Sequence, residues 1–134
     1  MSGVRIFHQM IGKVMSSVTS KSNDELCFVA ETGEEFKFVH QQNCCESVWI
    51  EDIDGDLQDL VGSPMTMAEE VEGSQEPRIQ DYPDESFTWT YYKFATPKGY
   101  VTVRFYGSSN GYYSEGVSFM MKNSKTKRFE ACWE

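Results

Sequence analysis

Three stretches of the 134-residue chain bring chemically capable side chains close together. In His40-x-x-x-Cys44-Cys45-Glu46, imidazole, thiol and carboxylate fall within seven positions. These residue types hold zinc or build a thiolate nucleophile. Adjacent cysteines are awkward for chelating one ion, and the sequence has no C-x-x-C pair to complete a site. No metal is expected, and His40, Cys44 and Cys45 are the positions to check for one. In Asp52-Ile53-Asp54-Gly55-Asp56 the start resembles a calcium loop. Leu57 stands where an EF-hand requires glycine, and Ser63 where it requires glutamate. The stretch reads instead as a turn leading into a short capped helix.

The third stretch is the aromatic C-terminal part. Trp89, Tyr91, Tyr92, Tyr100, Tyr106, Tyr112 and Tyr113 interleave with Lys93, Lys98, Arg104 and Asn110. Flat rings stack on a base, Lys or Arg takes a phosphate, and an amide fixes orientation, which is what nucleotide recognition requires. The same aromatics are also good strand formers that pair across a sheet. The candidate ligand-binding residues are Trp89, Lys93, Tyr100, Arg104, Tyr106, Asn110, Tyr112 and Tyr113. There is no phosphate-binding glycine loop, nucleophile elbow or metalloprotease motif. The expectation is therefore a protein that is not an enzyme and carries no cofactor.

Strand periodicity dominates the elements that must position these residues. Strands are expected over 13–19, 25–31, 35–40, 48–50, 65–71, 87–91, 100–106 and 112–122, with a last one within 128–133. Asp56 caps a short helix through Val61, stopped by Gly62 and Pro64. Cys27, within Leu26-Cys27-Phe28-Val29-Ala30, reads as a small core residue. Gly107 to Gly111 reads as a hairpin loop. Residues 72–86, polar with two prolines, read as a mobile loop. The expected fold is a single α+β domain over 1–134, β-rich, mostly antiparallel, with one or two short helices.

Charge divides unevenly. Residues 41–90 hold thirteen acidic side chains against Arg78 alone, a net of −12 within a chain total of −9. Such a chain is not steered to DNA or to an anionic membrane. No apolar run approaches the ~20 residues of a membrane helix, and no secretory signal is read at the N-terminus. A cytoplasmic location is expected.

Two resemblances add to this. The segment HQQNCCESVWIEDIDGDLQDLVGSP (40–64), with TWTYYK (88–93) and VTVRFYGSSNGYYS (101–114), resembles a family of bacteriophage and prophage proteins. This implies a phage protein acting in the host bacterial cytoplasm. The aromatic strand followed by the Asn110 hairpin is similar to the Thoeris anti-defence sponges. These are small β-rich oligomers that sequester a cyclic ADP-ribose-type immune signal. That similarity implies a homo-oligomer whose partner is a small nucleotide ligand, with Tyr100 and Asn110 at the base or ribose and Arg104 at the phosphate. The alternative expectation is an acidic inhibitor docking on a host enzyme or nucleic-acid-binding complex through the 46–59 segment.

Overall fold

Alternation of apolar and polar residues along short segments makes two-faced strands, and two such sheets bury their apolar faces by packing together. A computed structural model shows this arrangement; it describes residues 4–40, 46–73, 86–109, 116–122 and 130–131. The first sheet contains β1 (Val4–Ile6), β5 (Ser47–Asp54), β6 (Met67–Gly73), β7 (Ser86–Thr96) and β8 (Gly99–Ser109) in the order β1-β6-β7-β8-β5. The second contains β2 (Met15–Lys21), β3 (Glu25–Ala30), β4 (Glu35–Val39), β9 (Ser118–Lys122) and β10 (Glu130–Ala131) in the order β10-β9-β4-β3-β2. Every pairing is antiparallel. The chain crosses from the first sheet to the second after β1, returns to the first after β4 and passes to the second again after β8.

The β-rich, antiparallel expectation holds, but the α+β label does not fit the described residues. Their helical content is one 3-10 turn, Leu57–Leu60, capped by the Asp56 side chain accepting from Gln58 N–H at 2.9 Å. Gly62 and Pro64 leave no room for a longer helix. The structure also adds β1, and it carries β8 through Gly107, Ser108 and Ser109 rather than opening a loop there. Of the expected loop at 72–86, residues 72 and 73 finish β6 and residue 86 begins β7; residues 74–85 lie outside the described residues. No helix among the described residues is long and apolar enough to cross a membrane.

The core is an aromatic layer between the sheets. Phe38 of β4 contacts the rings of Phe7, Phe28, Tyr92, Phe94 and Phe119 at centroid distances of 4.6–5.9 Å. Val101, Val103 and Phe105 of β8 and Ala68 of β6 complete it from the first sheet. Rings in tilted and edge-on contact at these spacings add to the hydrophobic burial of each. Toward the end where β5 and β7 begin and β8 finishes, the interior becomes polar, with buried Thr90, Ser109 and Glu46. Cys27 is not a core residue. It falls on the outer side of β3, alternating with buried Leu26 and Phe28, and its thiol donates to Glu25 Oε1 at 3.2 Å.

Tight turns set the register. Ser22 and Asn23, both at positive φ, are the central residues of the turn in the three-residue connection 22–24 from β2 to β3, where the Asp24 N–H donates to the Lys21 carbonyl at 3.3 Å and a primed turn matches strand twist. Gly55, at φ +113°, ends β5 where a Cβ would lie 2.6 Å from the Tyr100 carbonyl oxygen. Gly55→Ala should therefore cost roughly 2–3 kcal/mol, adding a backbone clash to the left-handed penalty. Gly12, at φ +84°, has no atom within 4 Å of where a Cβ would stand, so it carries the conformational penalty alone. Gly12→Ala should cost only about 1 kcal/mol. Urea unfolding midpoints of the two variants test this, and equal losses would contradict the clash at Gly55.

Candidate functional site

Strands β7 and β8 pair in unbroken register from Ser86↔Ser109 to Thr96↔Gly99. With Tyr92, Phe94, Val101, Val103 and Phe105 committed to the core, alternation places Trp89, Tyr91, Lys93, Tyr100, Thr102, Arg104 and Tyr106 on the opposite, outer face. Neighbouring strands extend this face into rows. Glu69, Lys93, Thr102 and Asp54 lie side by side across β6, β7, β8 and β5. The next row is Val71, Tyr91, Arg104 and Asp52, and the one beyond is Gly73, Trp89, Tyr106 and Trp49.

One end of the outer face carries a cluster of packed rings. Tyr106 lies 5.2 Å from Trp49, 5.0 Å from Trp89 and 6.0 Å from Phe87, and it is fully buried. Trp89 is 2% exposed. Neither ring offers a free face for a base, contrary to the stacking role expected of both. The Arg104 guanidinium carbon lies 5.4 Å from the Trp89 ring centroid, and its Nη2 donates to Asp52 Oδ2 at 3.2 Å. Cation–π contact and ion pair together hold this cation at the border of the aromatic cluster. Trp89 thus lies under Arg104, and Tyr106 packs edge-on against Trp89.

The other end is open. Tyr100 is 51% exposed, the most exposed large apolar side chain described. It stands two residues from Thr102 on one strand, and Thr102 faces Lys93 on the other. Diagonal neighbours on a sheet lie about 7–8 Å apart, so one small ligand can reach Tyr100, Lys93 and Arg104 together. Among the described residues Lys93 forms no ion pair or hydrogen bond. Tyr92 is on the other face, buried, with its hydroxyl donating to Glu70 at 2.7 Å. Lys98 serves the 3-10 turn, donating to the Val61 carbonyl at 2.7 Å. Asn110, Tyr112 and Tyr113 lie outside the described residues, as do Cys44 and Cys45.

His40 has a different role from the one its spacing suggested. Its Nδ1 lies 2.7 Å from the Gly116 carbonyl oxygen, and its Nε2 lies 2.7 Å from Glu46 Oε2. The side chains are 5% and 0% exposed. A carbonyl only accepts, so Nδ1 carries a proton; the Nε2–Oε2 contact then holds a second one, on either atom. Both ring nitrogens are occupied, leaving no lone pair for zinc or for a thiol proton. The pair joins the end of β4 to the start of β5 and to the approach to β9. Sequence reasoning had both residues within one motif, but nothing local could show that they bond to each other.

The acidic 46–59 segment is also largely committed. Glu46 is buried, Glu51 Oε2 accepts from Trp49 Nε1 at 2.6 Å, Asp52 pairs with Arg104, and Asp56 caps the 3-10 turn. Asp54 remains exposed on the outer face. At Cys27, burial first and the Glu25 hydrogen bond second push the thiol up to about 11.

Two measurements check these assignments. His40→Leu should destabilise by about 3 kcal/mol, since it strips a buried carboxylate of its imidazole partner. The His40→Leu/Glu46→Leu pair should recover most of that loss, giving a coupling energy above about 1 kcal/mol in a double-mutant cycle. Additive losses would contradict the pairing. For Cys27, the raised value means that the folded state holds its proton more tightly. The contribution to stability is complete below pH 9 and is lost as pH rises toward about 11. Alkylation of Cys27 at pH 8, followed by peptide mapping, should run roughly a hundredfold slower in the folded chain than in urea. Equal rates would refute the burial argument.

A family model described as a domain of unknown function (DUF7448) matches residues 8–119, a span that includes every candidate residue named above. No curated protein and no solved structure matches the chain. With the match running from the segment before β2 into β9, the chain belongs to the DUF7448 family.

Proposed function

We propose that this is a phage-encoded counter-defence protein that binds and withholds a small, cyclic-type nucleotide signal in the host bacterial cytoplasm, without chemical turnover. The observation that carries the reading is the open end of the outer face. There exposed Tyr100, Lys93 without an ion pair or hydrogen bond among the described residues, and Arg104 over Trp89 stand together on one hairpin. A ring for stacking and two cations for phosphate are the minimum that nucleotide binding requires. Two eleven-residue strands in register hold them without a loop to order, which lowers the entropic cost of binding. The resemblance of the 40–64, 88–93 and 101–114 segments to phage proteins supports the biological setting. A homo-oligomer, with the ligand held between protomers, fits a face that is open on one side.

A thermal-shift screen of the purified chain against cyclic dinucleotides and ADP-ribose derivatives tests the reading. A ligand that binds only the native state raises the melting temperature, by about 2.7 kcal/mol of stabilisation at a hundredfold excess over Kd. Lys93→Ala and Tyr100→Ala should each abolish the shift while leaving the ligand-free melting temperature within a few degrees of the parent. A shift that survives both substitutions would place the ligand elsewhere, and silence across the panel would refute nucleotide binding.

A further inference from the structure

Lys93 does not stand in a basic surface. Directly beside it on β6 is Glu69, and across Thr102 on β5 is exposed Asp54. In the next row Arg104 is already shared with Asp52 at 3.2 Å. The outer face thus offers one cation without an ion pair among the described residues, one cation already paired with Asp52, and three carboxylates around them. A site built to hold a highly charged phosphate places cations, not carboxylates, at such positions.

We infer that Glu69 and Asp54 act as a charge filter, making this face selective for nucleotides whose phosphates are all internal diesters and unfavourable for those ending in a phosphomonoester. The inference rests on the nucleotide-binding reading above and specifies its ligand. An internal diester carries one negative charge, which Lys93 or the shared Arg104 can match singly. A terminal phosphomonoester, with a second pKa near 6, carries about −1.5 to −2 at neutral pH. The additional charge then faces Glu69 on one side and Asp54 on the other. At roughly 7 Å in a solvent-exposed setting, two such repulsions together amount to about a five- to tenfold loss of affinity. Where ring closure consumes the terminal phosphomonoester, as in 3′,5′-cyclic AMP or a cyclic dinucleotide, it removes the repulsion, so the filter favours the cyclic over the 5′-phosphorylated linear form of such nucleotides. Glu69 and Asp54 are positioned to set this specificity without supplying the binding energy.

The test uses matched pairs differing only in ring closure: 3′,5′-cyclic AMP against 5′-AMP, and cyclic di-AMP against its linear 5′-phosphorylated dinucleotide. Affinities for the full chain are measured by calorimetry at pH 7.5 and low salt. In at least one pair the cyclic member should bind five- to tenfold more tightly. In the Glu69→Gln/Asp54→Asn variant the linear member should gain affinity until the ratio falls toward one, with the cyclic member little changed. Circular dichroism and the ligand-free melting temperature confirm that this isosteric variant is folded. Equal or tighter binding of the linear member to the parent chain, or a preference that persists in the double variant, overturns the filter while leaving nucleotide binding intact. Failure of all four compounds, and of the wider panel above, refutes the binding reading itself and the filter with it.

Discussion

Phe38 is the ring on which both sheets close. It meets Phe28 and Phe119 within its own sheet, Tyr92 and Phe94 from the opposite one, and Phe7 from the segment that follows β1. An aromatic layer of this kind stabilises the fold by area and by edge-on geometry together. It also fixes which face of each strand looks inward. Because strand side chains alternate with period two, committing Tyr92, Phe94, Val101, Val103 and Phe105 to the layer commits Lys93, Tyr100, Thr102 and Arg104 to the opposite face. A one-residue slip would exchange the two sets. The candidate binding face is therefore a consequence of the core's register.

The outer face then divides by what its own residues do to one another. Trp49, Phe87, Trp89 and Tyr106 pack against one another on the outer side of the sheet, where Trp89 and Tyr106 are buried, forming a second cluster outside the main core. Its effect is to supply a ring under Arg104 and to restrict that side chain, whose charge Asp52 shares. Beyond the cluster the face stays open around Tyr100. Rigidity at one end and exposure at the other is a useful combination for recognition, since the cation is ordered before any ligand arrives. The polar end of the interior follows a comparable logic. There His40 and Glu46 satisfy each other, and Gly116 takes the remaining N–H, so that a carboxylate is buried without being abandoned.

Much of the fold was legible in the residues. Strand patterning over 25–31, 35–40 and 100–106 gave β3, β4 and the greater part of β8, and the Lys21-Ser22-Asn23-Asp24 cluster gave the turn between β2 and β3. Asp56 gave the cap of the 3-10 turn. The expected helix shortened because Gly62 and Pro64 follow too soon. β1 was missed because three residues carry too little pattern to announce a strand. Cys27 was misplaced because an apolar run does not say which of its members faces inward until the partner sheet is known.

The candidate site was legible in kind but not in arrangement. Sequence alone named Lys93, Tyr100 and Arg104 as candidate residues, but the expected strand 87–91 stopped short of Lys93, and the register that puts all three on one face belongs to the full-length β7–β8 pairing. It also determined that the middle of the chain is acidic and that no known catalytic motif is present. Only the tertiary structure decided that Trp89 and Tyr106 are closed while Tyr100 is open, that Asp52 and Asp54 flank the cations from β5, and that Glu46 pairs with His40. Each of these depends on contacts between strands distant along the chain or on burial by neighbours that local pattern cannot identify. Alternation specifies the face a side chain takes; what else arrives at that face is settled by packing.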